Sequence, residues 1–234
     1  MQDERPIPLV DLSAQHAPIA DELEAAISEV IRTNGYILGP AVARFEEAYA
    51  EWARVDHAIG VANGTDAIEL MLRALGIGPG DDVLVPAMTY VATASAVRRA
   101  GARPVLVDVD EDTVLIDPSH IGAARTPATR AVIGVDLYGQ MADLESVEAA
   151  APDLYLIEDA AQSHGARRNG KVPGSYGRGA SVSFYPGKNL GALGDAGAVI
   201  TDDSGLADAV RALRNHGGVA KYQHDLLGMN SRLD

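Results

Sequence analysis

The sequence predicts an α/β fold, a mixed, mostly parallel sheet covered on both faces by helices. From His57 to Asp159, short apolar runs alternate with stretches of helical period. Runs of that kind read as strands buried on both faces and joined by crossover helices. After Asp159, two more apolar runs follow with a Gly-rich connection and no helix between them, so they can pair antiparallel.

Taken in order, residues 1–40 are irregular and punctuated by Pro6, Pro8, Pro18 and Pro40. One helix runs from about Ile19 to Thr33 and ends at the Asn34-Gly35 breaker. A second follows Pro40, with Val42, Phe45, Ala48, Tyr49 and Trp52 at helical spacing. HAIGVA (57–62) is a strand and DAIELMLRALG (66–76) a helix; DVLVPA (82–87) is a strand and YVATASAVRRAG (90–101) a helix. PVLVDV (104–109) is a strand, with a short helix near 119–125. RAVIGVDLYG (130–139) is a strand, DLESVEAAA (143–151) a helix and LYLIED (154–159) a strand. ASVSFYP (180–186) and AGAVITDD (196–203) are the last two strands, and a helix spans 204–215. The tail from His216 shows no terminating pattern, which suggests a piece of something longer.

Composition narrows the function. Hydrophobic residues are 47% and charged residues 22% of 234, an ordinary globular balance. Lys plus Arg number 19 against 33 Asp plus Glu, a net charge of -14. That disfavours a bulk electrostatic nucleic-acid binder and an anionic membrane surface. The absence of cysteine removes disulfides, thiolate metal sites and a catalytic thiol. MQDERPIPLV has no apolar h-region and no run is long enough to span a bilayer, so the expected compartment is the cytoplasm.

Common motifs fail. VANGTDAIEL lacks the glycines of a dinucleotide fingerprint. Val182 stands where a P-loop ending at Lys188 needs glycine, and Asn189 where it needs Ser or Thr. The histidines form no H-E-x-x-H pair, so no metal site is expected. There is no G-x-S-x-G elbow.

Four local features remain. Asn63-Gly64-Thr65-Asp66 is a polar strand-to-helix turn whose free N–H groups would favour a phosphate; an ordinary N-cap is the competing reading. Glu158-Asp159 ends an apolar strand, where ligands of open α/β sheets bind. A carboxylate there can hold a protonated ring nitrogen, provided a cation keeps it ionised; a helix N-cap competes. Lys188 is alone in a Gly-rich segment between apolar strands, where partial desolvation would lower its pKa toward nucleophilic use; a surface hairpin lysine competes. Tyr90, just past a strand end, can stack on a planar ligand or serve the core. A phosphate cradle, a strand-end carboxylate and a lone lysine are together what pyridoxal phosphate needs.

Longer stretches carry a resemblance: GYILGPAVARFEEAYAEW, NGTDAIEL, ALGIGPGDDVLVPAMTYVATASAV, DVDEDTVLIDP, LIEDAAQSHGA, SFYPGKNLGALGDAGAV and HGGVAKYQHDLLGMNSRLD. In these the chain resembles the DegT/DnrJ/EryC1/StrS family of sugar aminotransferases, pyridoxal-phosphate enzymes of the aspartate-aminotransferase fold, fold type I. The resemblance implies a large domain with a seven-stranded mixed sheet, and a homodimer with active sites at the subunit interface. It divides the chain into an N-terminal segment, 1–40, and a cofactor-binding large domain, 41–234, without the small C-terminal domain of relatives.

By the same resemblance Lys188 carries the cofactor and shuttles the proton, Asp159 pairs with the pyridine nitrogen and Gln162 contacts the phenolic oxygen. Gly64, Thr65 and Ser183 bind the phosphate and Tyr90 stacks on the ring. Asn230 reaches the phosphate of the other subunit's cofactor, and His164 lines the site. Some relatives replace the lysine with histidine and act as dehydratases; Lys188 argues against that. Many relatives read HLYG where this chain reads Asp136-Leu-Tyr-Gly, an anion in place of a neutral or cationic group.

The implied reaction moves an amino group from glutamate to a nucleotide-linked keto-deoxysugar. The SFYPGKNLGALGD wording leans to the C3 position; C4 sugars and keto-cyclitols such as scyllo-inosose stay open. Arg167, Arg168 and Lys221 are the basic candidates for the nucleotide. Two rivals stand beside this reading. One is a cofactor-binding fragment without turnover, and the other an α/β binding protein with no cofactor.

Overall fold

The computed structural model describes residues 7–220 and 222–234. A short helix α1 (Leu12–His16) and a 3-10 turn lead into α2 (Ala20–Thr33) and α3 (Pro40–Ala53). Then come β1 (His57–Val61), α4 (Gly64–Ala74), β2 (Asp82–Pro86), α5 (Val91–Arg99) and β3 (Arg103–Val107). After these follow α6 (Pro118–Ala124), β4 (Thr129–Val135), α7 (Leu144–Ala150) and β5 (Tyr155–Asp159). The chain closes with β6 (Ala180–Ser183), β7 (Gly197–Thr201), α8 (Ser204–Arg214) and a small hairpin, β8 (Gly218–Ala220) with β9 (Gln223–His224).

The main sheet has seven strands in the order β1-β7-β6-β5-β4-β2-β3. β7 runs antiparallel to both neighbours, and the other pairs are parallel. The expected mixed sheet is therefore present, with the antiparallel strand where two apolar runs lack a helix between them. The carboxyl ends of β1, β2, β4, β5 and β6 consequently share one edge, which is where an open α/β sheet places its ligands.

Strand periodicity assigns the faces. On β1 and β7, Ile59, Val61 and Val199 join the larger core with α4 and α8. Ala58, Ala198 and Ile200 point the other way, into a second core under Tyr49 and Ala53 of α3. α4 is the central helix: Ala67, Ile68, Leu70, Met71 and Leu72 are at most 1% exposed. Each large side chain so buried contributes about 1.5–3 kcal/mol. The helix starts because the Asn63 side chain accepts from Asp66 N at 2.8 Å. It stops in a Schellman turn, with Ile77 N to Leu72 O at 2.9 Å and Gly76 N to Arg73 O at 3.0 Å. Gly76 adopts φ +71°, the left-handed region.

Some expectations need correction. The strand read as 130–139 ends at Val135, because Tyr138 turns into the left-handed region at φ 58° inside a 3-10 turn. The segment before residue 40 holds α1 as well as α2, and neither buries a residue. The tail also has structure. Beyond the β8–β9 hairpin, it doubles back to β1, with Ala62 N donating to Ser231 Oγ at 3.2 Å.

Gly197 fixes how closely α4 approaches the sheet. It pairs with both Val61 and Ser183, and a Cβ there would stand 2.4 Å from Asn63 C and 2.6 Å from Gly64 N. Gly197→Ala is expected to cost about 1–3 kcal/mol through backbone displacement. Gly122→Ala, in α6 with nothing within 4 Å of its Cβ, should gain about 0.5–1 kcal/mol. Urea midpoints of the two variants check this pair; equal shifts would refute the steric argument.

Candidate active site

A cleft of about 670 Å³ opens at the shared edge of the sheet. Gly64, Thr65, Tyr90, Asp159, Gln162, Ser183 and Lys188 all line it. Residues far apart in the chain meet because each follows or ends a strand: Gly64 after β1, Tyr90 after β2, Asp159 on β5, Ser183 on β6.

Asp159 sits at the floor, 7% exposed. Thr93 Oγ1 donates to its Oδ2 at 2.7 Å, Ala161 N to its Oδ1 at 3.3 Å and Ser181 Oγ to Oδ1 at 3.5 Å. Thr89 and Thr93 hydroxyls are 2.8 Å apart. With Thr93 donating to the carboxylate, Thr89 is the donor to Thr93. Burial pushes Asp159 above the ordinary carboxylate range, against the pull of Thr93, Ala161 and the Lys188 charge. Burial likewise pulls the half-buried Lys188 amine below its ordinary range, and Asp159 partly restores it. A lysine and a carboxylate thus face each other, each holding the other's charged form against desolvation.

Lys188 stands on a tight loop between β6 and β7. Phe184 N to Ala196 O (2.8 Å) and Ala192 N to Phe184 O (2.7 Å) close its base, and Lys188 N to Tyr185 O (2.8 Å) closes its tip. Across from it, Asn63 takes the N–H of Asp66. The N–H groups of Gly64 and Thr65 have no partner among the described residues and point from the N-terminus of α4, where an anion is favoured. A Cβ on Gly64 would lie 2.8 Å from that of Ser183, so glycine keeps this cradle open.

Gln162 is oriented by a turn. Its Oε1 accepts from Tyr138 N at 2.5 Å, which leaves its NH2 as the free end.

His164 is placed elsewhere. It lines a separate cavity of about 160 Å³ with Tyr49, Trp52 and Arg167, and both ring nitrogens are engaged. Nε2 is 2.9 Å from Ser183 O, which can only accept, so Nε2 carries the proton and Nδ1 accepts from Tyr49 OH at 2.7 Å. Burial lowers its pKa, in keeping with this neutral form. Asn230 is exposed and lies away from the cleft, bridged to Asn215 beside α8. Arg167 and Arg168 do not line the cleft, and Arg168 pairs with Asp143 at 2.8 Å. Lys221 falls outside the described residues.

Sequence reasoning missed Thr93, Thr89, Tyr185, Arg99 and Asp195, which belong to the site or its rim. Arg99 is tied to Asp66 at 2.9 Å and Glu69 at 2.8 Å. Only Thr93 carried a signal, being one helical turn beyond Tyr90. No group of three or more His, Asp or Glu among the described residues is arranged to hold a metal ion. No helix among them is long and apolar enough to cross a membrane.

Comparison with known proteins agrees with this geometry. The sequence model of the DegT/DnrJ/EryC1/StrS aminotransferase family matches residues 18–234. The chain is 49% identical over 230 residues to a protein of Geobacillus stearothermophilus named pleiotropic regulatory protein, covering 97% of this chain and 62% of that one. It is 47% identical to dTDP-3-amino-3,4,6-trideoxy-alpha-D-glucose transaminase of Streptomyces venezuelae, covering 97% of this chain and 61% of that one. The crystal structure of S. venezuelae DesV in complex with a ketimine intermediate superposes with a TM-score of 0.94 at 47% identity, over 97% of this chain and 62% of that one. The chain therefore spans about three fifths of the length of these relatives.

The Lys188–Asp159 pairing has a measurable sign. In Asp159→Asn the supporting anion is gone, and the Lys188 amine should lose its proton at lower pH than in the wild type. Reductive methylation followed across pH, with peptide mass mapping of Lys188, reads the midpoint. An unmoved or raised midpoint would show that the two groups do not interact.

Proposed function

We propose, because the chain belongs to the DegT/DnrJ/EryC1/StrS aminotransferase family and sets Lys188 opposite Asp159 in one cleft, that it binds pyridoxal 5'-phosphate and serves a cytoplasmic sugar aminotransferase. The amino donor is glutamate and the acceptor a nucleotide-linked keto-deoxysugar. The lean to the 3-keto position draws on the SFYPGKNLGALGD segment and on the name of the S. venezuelae transaminase. The same reading takes residues 1–40 as an N-terminal segment and 41–234 as the cofactor-binding domain.

The residues fit the cofactor. Gly64 leaves a cradle that a Cβ would fill, its N–H and that of Thr65 are free, and Ser183 closes the side. When bound, pyridoxal phosphate supplies an electrophilic aldehyde and, with its ring nitrogen protonated, a sink for the electrons of a carbanion. Lys188, its amine less basic through burial, would hold the aldehyde carbon and would be the group that takes up and returns the proton of the donor's α-carbon. Asp159 accepts the ring N–H, held in place by Thr93 and Ala161. Gln162 donates its free NH2 to the phenolic oxygen. Tyr90, 70% exposed at the mouth, covers the ring. In a homodimer, Asn230 of one subunit completes the phosphate site of the other, which accounts for its exposed position away from its own cleft.

The observation that carries this reading is the opposed Lys188 and Asp159 beside an anion cradle, and the test is a covalent trap. Added pyridoxal phosphate should give a visible absorbance band, and borohydride should fix a pyridoxyl group on Lys188. Lys188→Ala should show no adduct. A folded wild type without an adduct would end the cofactor reading. Where turnover with glutamate and a 3-keto nucleotide sugar is present, Lys188→Ala should lower it at least about 10²–10⁴-fold, the size of a lost general acid–base group. Turnover only with 4-keto sugars or with scyllo-inosose would overturn the 3-keto lean. An adduct without any turnover would leave a cofactor-binding chain.

The shared site makes a second prediction. Lys188→Ala and Asn230→Ala homodimers should each be impaired, and refolding the two together should restore activity in mixed dimers. No recovery in demonstrably mixed dimers would place Asn230 outside the site.

A further inference from the structure

Consecutive residues of a strand point to opposite faces, so Glu158 lies beneath the sheet where Asp159 lies above it. Glu158 is 0% exposed and Asp136, just past the end of β4, is 1% exposed. Gly134 pairs with Glu158 in the β4–β5 register, so Asp136, two residues further on, shares the face of Glu158 and stands beside it. Asp136 accepts Ala142 N at 2.8 Å on one oxygen and Ser163 Oγ at 2.7 Å on the other. Glu158 accepts Gly174 N at 2.7 Å on Oε2, and its buried Oε1 has no partner.

No cation balances this pair. Neither residue has an ion pair with Lys, Arg or His among the described residues. The charged groups that bear on them are each other and Asp159. From the loop of Gly174 and from Ser163 they meet only an N–H and a hydroxyl. Two adjacent buried carboxyls without a cation do not both ionise. Each Asp136 oxygen already accepts one donor and, as a carboxylate oxygen, keeps a second lone pair, whereas Glu158 has one oxygen with no partner, so Glu158 carries the proton.

The pair also sits at a junction. Asp136 N donates to Asp159 O at 3.0 Å, Ser163 Oγ to Asp136, and Tyr138 N to Gln162 Oε1. These bonds tie the turn after β4 to the turn after β5.

We propose that Asp136 and Glu158 share a single proton, donated from Glu158 Oε1 to Asp136, and that this pair positions the Asp159 carboxylate and the Gln162 amide in the cleft. Both are positioning residues. The positioning half rests on the cofactor reading above, while the shared proton does not.

The shared proton is tested without cofactor. Above about pH 5, an unfolded Glu is ionised, while the folded chain keeps the proton on Glu158. Stability from this source therefore falls as pH rises. Glu158→Gln keeps a donor and removes the titration. The ratio of the wild-type folding constant to that of Glu158→Gln should fall about tenfold per pH unit from there until the pair releases its proton. A ratio that is flat in pH would overturn the proposal.

If the variant does not fold, infrared spectroscopy of the wild type decides. A protonated carboxylic-acid C=O band at neutral pH is expected, shifted in Asp136→Asn because its acceptor has changed. No band, or an unshifted one, would overturn the pair. For the positioning half, the dissociation constant of pyridoxal phosphate is read by absorbance. Glu158→Ala should bind about tenfold more weakly, with Glu158→Gln recovering most of the loss. Equal affinity of Glu158→Ala and wild type would overturn positioning. A wild type that forms no Lys188 adduct would end the cofactor reading and the positioning half with it, while the pH ratio still decides the proton.

Discussion

A carboxylate almost without access to water is costly unless its surroundings replace the lost solvent, and Asp159 is such a group. Much of the sheet's carboxyl edge answers that cost. Thr93 reaches it from the first turn of α5, Ala161 from the following turn and Ser181 from β6. The Lys188 loop brings an opposing cation. These contacts also determine where a ligand can sit, because the charge that needs a partner is aimed into the cleft. The helix α5 must therefore begin where it does, since a shift of one residue would turn Thr93 away from Asp159.

Close approach of backbone is the second constraint. The cradle at Gly64 exists because β7 passes close to the start of α4, which the lack of a side chain at Gly197 permits. The antiparallel insertion of β7 between β1 and β6 is what makes this crossing possible. The topology that departs from a purely parallel sheet is thus the same feature that sets the spacing between anion cradle and lysine loop.

Element types from α2 to α8 were legible in the sequence because buried strands and amphipathic helices differ in hydrophobic period. The end of α4 was legible too, since the helical stretch stops at Gly76. The end of β4 was not, because Asp136 and Tyr138 break the strand through a turn whose left-handed residue is a tyrosine, with no glycine at that position to mark it. Among the site residues, Lys188, Asp159, Gly64, Thr65 and Tyr90 sit at strand ends or loops where local features and resemblance both point, Ser183 and Gln162 were given by the resemblance alone, and all seven line one cleft. Thr93 offered only its place one helical turn beyond Tyr90, because a threonine in a helix is ordinary until tertiary structure sets it against a carboxylate. His164 was misplaced for a similar reason. It follows the Asp159 motif by a few residues, but its ring packs among Tyr49 and Phe184 beside the smaller cavity.

The distribution of charge across the sheet explains why so acidic a chain can still hold an anion. Its net charge of -14 offers no long-range attraction to a phosphate, and screening confines that disadvantage to roughly 10 Å at 0.1 M salt. Inside the cleft the deciding groups are fixed: the free N–H groups of α4, the hydroxyl of Ser183 and the Lys188 amine. Each ionised carboxyl nearby would oppose them. Asp66 is paired with Arg99, Asp159 faces Lys188, Glu158 points to the face opposite Asp159, and the buried Asp136 is held by Ala142 N and Ser163 Oγ. With their charge paired, screened by backbone donors or turned away, the acidic residues leave the anion cradle to local dipoles. That arrangement lets the surface stay strongly negative without emptying the site.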